Sequence, residues 1–178
     1  MANYREIVTK AIIGKGKKRF TSKSVVTPEI LPTTILGCWV INHNFRGYRE
    51  NDKIIIEGSY DVNIWYSCLN DTKTEVVRHS DTYREVVRIP NKSNDAALID
   101  NEEIIIRSLN HPSCIKTDIE NGQILYTIEK ELGIEIVGDT KVKITIDEEE
   151  SPWDDIDDDN DEEVSKQIEA EVKEEFLD

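Results

Sequence analysis

The chain has 178 residues, and its formal net charge of −15 is concentrated at one end. Residues 147–178 contain seventeen acidic and two basic residues, whereas residues 1–146 contain twenty of each. This balance argues against nucleic acid as a partner, because duplex binding needs a row of cations. There is no run of 18 apolar residues and the opening residues lack a secretory pattern, so we expect a soluble intracellular protein without direct membrane insertion.

Residues 1–23 fit either a helical face or a strand, and the β character of the rest favours a strand. Seven basic residues against one glutamate give this segment a charge of +6. Its basic centre, Lys15, Lys17, Lys18 and Arg19, lacks the glycine spacing of a phosphate-binding loop. We expect a solvated turn there. The alternative is a docking patch for an acidic partner, such as the tail of another copy.

Two β patterns follow. Residues 35–42 form a short apolar run between Pro32 and the Asn42–Asn44 stretch, which predicts a deeply buried strand. Residues 54–66 alternate, with an apolar set at Ile54, Ile56, Tyr60, Val62, Ile64 and Tyr66 on one face and Glu57, Ser59, Asp61 and Asn63 on the other. This alternation predicts a half-buried strand, or two strands joined at Gly58.

The second half of residues 1–146 continues the β pattern. Residues 72–78 and 83–89 predict strands across a turn at 79–81, and polar residues 90–96 predict a long loop. Residues 103–108, 114–120 and 123–131 predict further strands, with Asn121-Gly122 as a hairpin turn. A second hairpin is predicted from 132–137 and 141–146 around 138–140. The fold class is therefore all-β, an antiparallel β-sandwich-like head over residues 1–146.

The residues offer little that resembles catalysis. The three histidines are isolated, and Glu57 and Asp61 are better explained as solvated than as an acid–base pair. Trp39, Trp65 and Tyr66 are expected to be core or contact aromatics rather than a base-stacking platform, because basic residues do not alternate with them. We expect no enzyme activity, no cofactor and no specific metal site.

The three cysteines, Cys38, Cys68 and Cys114, are widely spaced and do not form a zinc-binding pattern. We expect reduced, partly buried thiols. The alternative is that they form intermolecular disulfides in a later oxidising setting, which would make them cross-linking thiols.

Residues 147–178 carry too many like charges and too few apolar residues to fold alone, so they predict a disordered acidic interaction tail. Within this tail Trp153, Asp154, Asp155 and Ile156 are typical of a docking peptide, in which an apolar pair enters a pocket and the carboxylates steer the encounter. Residues 162–177 contain a narrow apolar stripe that could become helical on binding.

Six segments are distinctive as a set: Tyr4–Ala11, Ile35–His43, Glu57–Ser67, Thr72–Val77, Gly138–Val142 and the tryptophan-bearing acidic tail. Together they resemble the CotE family of outer spore-coat morphogenetic proteins of endospore-forming bacteria. The resemblance runs over nearly the whole chain in order, and Asp61–Ser67 is unusual in composition.

The resemblance implies a non-enzymatic scaffold that self-associates into multimers around the forespore, in the mother-cell cytoplasm and then in the spore coat. It also implies recruitment by coat-scaffold proteins and capture of outer-coat proteins, including through the C-terminal region. The expected interaction residues are Lys15, Lys17, Lys18, Arg19, Trp65, Tyr66 and the four tail residues. A chaperone-like binder of basic proteins is the alternative function, and an enzyme that uses a head carboxylate or cysteine is a third.

Overall fold

The computed structural model describes residues 3–89 and 101–146, and these residues form long antiparallel strands. Six strands follow one another within these described residues: β1 (Tyr4–Val26), β2 (Pro32–Glu50), β3 (Lys53–Cys68), β4 (Lys73–Val87), β5 (Glu103–Glu120) and β6 (Gln123–Thr145). One sheet has the order β1-β6-β5 and the other has the order β2-β3-β4. The predicted all-β fold class is confirmed.

Residues 6–143 form one compact unit, and its core lies between the two sheets. The central strands β3 and β6 supply most of the buried side chains, as their alternation requires. One cluster contains Tyr60, Val62, Ile64, Tyr66, Ile124, Tyr126 and Ile128, and a second contains Phe20, Ile54, Ile56, Leu132, Ile134 and Ile136. In the second unit, which includes residues 3–5 and 144–146, the Ile146 amide donates to the Asn3 carbonyl over 2.9 Å.

Four predicted turns or breaks are wrong, because the strands continue through them. β1 runs through residues 14–19, β4 through 79–81 and β6 through 138–140, and β5 joins the two strands predicted at 103–108 and 114–120. Glycines in these strands provide space rather than a change of direction. A Cβ on Gly138 would lie 2.7 Å from Ile13 Cδ1, and one on Gly14 would lie 3.0 Å from Ile136 Cδ1. Glycine in a strand allows such a close approach.

The polar stretches inside β2 and β5 form bulges. Between Ile41 and Asn44 the β2–β3 register shifts, and Asn42 takes a positive φ of 55°. In β5 the register shifts three times between Ser108 and Lys116. A bulge absorbs an extra residue without ending the strand. The long strand β3 has no break at Gly58, which confirms the single-strand reading of residues 54–66.

Two further expectations have clear outcomes. The deep burial predicted for residues 35–42 is wrong, because β2 is the terminal strand of its sheet and Trp39 is 54% exposed. The Asn121-Gly122 hairpin is confirmed, with φ of 50° and 74° at the two turn residues and Glu120 paired with Gln123.

The loop predicted at residues 90–96 and the tail predicted from 147 lie outside the described residues. The described residues contain no helix that is long and apolar enough to cross a membrane.

Candidate interaction surface

Two tryptophans meet on the outer face of the β2-β3-β4 sheet. Trp39 on β2 and Trp65 on β3 pack edge to face, with ring centroids 6.2 Å apart and an interplanar angle of 89°. They remain 54% and 44% exposed. Ile41, 46% exposed, extends the same face of β2, and Val76 lies opposite Trp65 on β4. We call Trp39, Ile41 and Trp65 the aromatic patch.

The register of β2 against β3 explains why the tryptophans can meet. Trp65 pairs with Gly37, two positions before Trp39, so the glycine leaves room on the sheet beside the Trp65 ring. The Trp39 ring lies over this glycine, where an added Cβ would be 2.6 Å from its Cη2 atom. Both rings therefore lie against the sheet and present a ready-made apolar surface to solvent.

The middle of the same face carries Asp61, which is fully partnered. It accepts hydrogen bonds from Asn42 Nδ2 over 2.8 Å and from Ser80 Oγ over 2.5 Å. These two bonds lower the pKa of Asp61, the Asn42 bond first, because they stabilise the ionised carboxylate. Asp61 is thus a fixed anion at neutral pH, which does not suit a general acid.

Further along the face, Glu57 lies within a second polar group. Arg46 Nη2 donates to it over 2.8 Å and the Tyr48 hydroxyl over 2.9 Å, while Arg84 Nε lies 3.8 Å from the same carboxylate. The Arg46 and Tyr48 bonds lower the pKa of Glu57. An open groove of about 760 Å³ runs beside this group between β2 and β4. Its shape suits a surface contact better than an enclosed small-molecule site.

The basic residues of β1 point at glutamates of the neighbouring strand β6. Lys15 Nζ lies 3.6 Å from Glu135, Lys17 Nζ 3.5 Å from Glu131, and Arg19 Nη1 3.7 Å from Glu129. The three cations keep 60–69% of their side chains exposed. Lys18 instead lies 5.4 Å from the Phe20 ring. Within the described residues this basic segment is therefore a strand whose charge is largely balanced by its neighbour.

The remaining expected interaction residues differ in position. Tyr66 lies in the core with 3% exposure, while its neighbour Trp65 faces solvent, as alternation along a strand requires. Trp153, Asp154, Asp155 and Ile156 lie outside the described residues. The sequence did not predict that Trp39 is exposed. When an apolar run is continuous, nothing in the sequence distinguishes a strand at the edge of a sheet from a central one.

A group of titratable side chains lies buried between the sheets, away from the aromatic patch. Lys130 is 1% exposed, and its ammonium lies 3.0 Å from Glu85 and 3.9 Å from the centre of the Tyr83 ring. The Tyr83 hydroxyl lies 2.7 Å from His43 Nε2, and the Tyr126 hydroxyl donates to Asp81 over 2.9 Å. Burial raises the pKa of Tyr83 and Tyr126. We call this group the buried polar cluster.

The charges of the buried polar cluster are paired within the core or at its edge, since Lys130 is 1% exposed and Glu85 is 24% exposed. Tyr83 lines the open groove beside Glu57, whereas Lys130 is not among the residues that line it. Paired and hydrogen-bonded charges are the form in which a core tolerates them. In the part of the chain that the structure describes, His, Cys, Asp and Glu residues do not gather into a group that could hold a metal ion.

The three thiols lie in two places. Cys68 is fully buried in the core, and its Sγ lies 3.6 Å from the Lys73 carbonyl oxygen. Cys38 and Cys114 are both partly buried and line the same open cavity. Burial and the neighbouring Cys114 raise the pKa of Cys38.

Comparison with known protein families gives a match over most of the chain. The family model of outer spore coat protein E (CotE) matches residues 3–178, which is nearly the entire chain. The chain belongs to the CotE family. No curated protein and no solved structure gave a significant match.

Membership assigns the chain to the outer spore coat as a morphogenetic protein of a structural family. The family match also covers residues 147–178, so it includes the acidic tail as well as the strands. The resemblance drawn from the sequence is confirmed.

Proposed function

We propose that this CotE-family chain is a scaffold that self-assembles around the forespore and recruits outer-coat proteins. In this proposal residues 1–146 form the self-associating head and residues 147–178 form the capturing tail. The protein acts first in the mother-cell cytoplasm and then in the spore coat. The observation that supports the proposal is the exposed aromatic patch. It lies on a chain that belongs to a structural coat family.

The aromatic patch fits contact with a second copy of the head. Large exposed aromatics are rare on monomer surfaces and are the side chains that contribute most when an interface covers them. The polar groups around Glu57 and Asp61 border the patch and are already hydrogen-bonded, so covering them leaves few unsatisfied groups.

The regular strand β4 ends the same sheet in the described part, and its pairing with β3 runs in unbroken register from Ile54 to Cys68. Its outer edge offers a second route to contact between copies.

Self-assembly is tested with the full chain by light scattering over a range of concentrations. We expect Trp39→Ala and Trp65→Ala each to raise the concentration needed for assembly about tenfold, the equivalent of about 1.4 kcal/mol per site. Leu69→Ala is the matched control, because Leu69 is also apolar and 60% exposed but lies in the turn after β3. A full chain that stays monomeric throughout, or tryptophan variants that assemble like the control, would overturn the proposal.

Recruitment is tested separately through the tail. We expect Trp153→Ala with Ile156→Ala to weaken capture of purified outer-coat proteins while assembly stays unchanged, because the tail's charge is preserved. Unchanged capture that disappears at high salt would instead indicate purely electrostatic, promiscuous binding of basic proteins.

A further inference from the structure

Cys38 and Cys114 occupy facing positions on the two sheets. Cys38 is on β2 opposite Ile64, and Cys114 is on β5 opposite Ile128. Both side chains pack against the same core cluster, so both point into the space between the sheets. Strands β2 and β5, each terminal in its own sheet, contact one another at this side of the molecule. Two cysteines that are distant in sequence thus meet across the sandwich.

The two cysteines are near neighbours that line the same cavity, and Cys114 Sγ lies 3.4 Å from the Lys116 carbonyl oxygen. An open cavity of about 260 Å³ is lined by both cysteines together with residues 35–37 and 115–117. A small reagent can therefore reach the pair from solvent. Both strands are irregular at this point, with register shifts between Ile35 and Gly37 and between Cys114 and Lys116. Bulged segments can make the small backbone adjustment that disulfide geometry requires.

We propose that Cys38 and Cys114 form an intramolecular disulfide that fastens the two sheets together under oxidising conditions. The oxidant is a low-molecular-weight disulfide. The thiolate of one cysteine attacks a sulfur of the oxidant, a mixed disulfide forms, and one small thiol leaves. The second cysteine's thiolate attacks the protein sulfur of the mixed disulfide, the protein S–S bond forms, and the second small thiol leaves. Two electrons and two protons pass from the protein to the oxidant in total.

The order of attack follows from the surroundings of the two thiols. Burial raises the pKa of Cys38 and so disfavours its thiolate as the first nucleophile. Cys38 reacts more readily within the molecule, where its proximity to Cys114 raises its effective concentration. Cys68 takes no part, because it is 0% exposed within the core.

The bond would make the sandwich harder to open. It joins strands from different sheets and closes a long loop of chain, which restricts the unfolded state. We expect oxidation to raise the melting temperature by about 10 °C. The bond would also leave Cys38 and Cys114 unavailable for disulfides between copies.

The test uses the full chain, reduced and then incubated with oxidised glutathione at a dilution where light scattering shows single copies. We expect a mass loss of about 2 Da, from two protons. We also expect a cross-linked peptide pair containing Cys38 and Cys114, one remaining thiol on unfolding, and the higher melting temperature. Cys38→Ser and Cys114→Ser should each abolish the mass loss, whereas the matched control Cys68→Ser should retain it.

Three outcomes would overturn the proposal. They are covalent dimers on a non-reducing gel, stable glutathione adducts without the mass loss, or a cross-link that involves Cys68. The parent chain alone decides between them, so the proposal remains testable if a serine variant fails to fold. Oxidation of the guanidine-unfolded chain is the reference, since pairing should be unselective there.

Discussion

The position of Trp39 depends on the absence of a side chain at Gly37. A Cβ at Gly37 would lie 2.6 Å from the far edge of the Trp39 ring, and that ring is exposed enough to swing away. We expect Gly37→Ala to separate Trp39 from Trp65 while the melting temperature changes by only about 2 °C or less. The near-ultraviolet circular dichroism of the coupled indoles should weaken, and assembly should weaken with it.

Gly16→Ala is the control for this change. A Cβ at Gly16 would make only ordinary contacts, 3.5 Å from Ile89 Cδ1. An unchanged indole signal in Gly37→Ala would mean that the glycine does not position the patch.

In the ion pair of Lys130 and Glu85 the lysine is more deeply buried than the glutamate. This difference in burial predicts which side chain can be replaced with the smaller loss of stability. The Lys130 side chain is 1% exposed, whereas that of Glu85 is 24% exposed. Glu85→Ala leaves a buried ammonium without its carboxylate and should lower the free energy of unfolding by about 3–5 kcal/mol. Lys130→Met keeps the volume and leaves a carboxylate that water can reach, so its cost should be about 1 kcal/mol or less. Urea denaturation at pH 7 measures both, and the reverse order would contradict the prediction.

His43 makes the fold sensitive to mild acid. Burial lowers its pKa to about 4, and the charges of His111 and Lys130 contribute to the same decrease. Its Nδ1 atom is buried without a hydrogen-bond partner in the described part of the chain, so a proton there would lack an acceptor. The unfolded state has the ordinary histidine pKa of about 6.5 and therefore binds more protons between pH 6.5 and 4. Stability is complete above pH 6.5 and falls as pH drops through this window.

The expected loss between pH 7.5 and 4.5 is about 2 kcal/mol, since a pKa difference of one between the folded and unfolded states corresponds to about 1.4 kcal/mol. Urea denaturation at the two pH values should show this loss in the parent, and His43→Gln should remove it. His79, which is 43% exposed and lies beside Asp81, provides the control, because His79→Gln leaves His43 and its contribution in place. If His43→Gln retained the parent's pH dependence, other groups would be responsible.

At the scale of the elements, alternation in the sequence predicts strands well and their junctions poorly. The alternation is reproduced along β3 from Tyr60 to Tyr66, whereas Ile54, Ile55 and Ile56 are all buried. The false turns and breaks were placed at glycines and polar residues that serve other purposes in the strands, such as close packing at Gly138 or a register shift at Asn110. Neither purpose is visible locally, because each depends on the neighbouring strand.

The Asn121-Gly122 turn was predictable because its requirement is local. Both residues take positive φ, and a Cβ on Gly122 would also lie 2.6 Å from Leu31 Cδ2. We expect Gly122→Ala to lower the free energy of unfolding by about 1–2 kcal/mol, whereas Asn121→Gly should change it by about 0.5 kcal/mol or less. Urea denaturation again gives both values. Equal effects of the two substitutions would mean that the turn does not require the positive φ of Gly122.

At the scale of the whole molecule, the sequence reveals the charge distribution but not which surfaces and thiols meet. Trp65 was expected to be an interaction residue, but its partner Trp39 was expected in a buried strand. Cys38 and Cys114 are separated along the chain by strands β3 and β4, and only the packing of β2 beside β5 brings them together. Contacts between distant segments depend on topology, for which one sequence offers little signal.

Salt dependence separates two modes of assembly for the whole chain. If the basic segment of β1 binds the acidic tail of another copy, added salt should weaken assembly. The structure favours the other mode, because Lys15, Lys17 and Arg19 already face β6 glutamates and every copy carries a tail of charge −15. Screening reduces repulsion between those tails and leaves contact through the aromatic patch intact. We therefore expect the concentration needed for assembly to fall severalfold between about 0.02 M and about 0.3 M salt, as light scattering would show. Removal of residues 147–178 should abolish that salt effect, and a rise in this concentration with salt would instead support head-to-tail attraction.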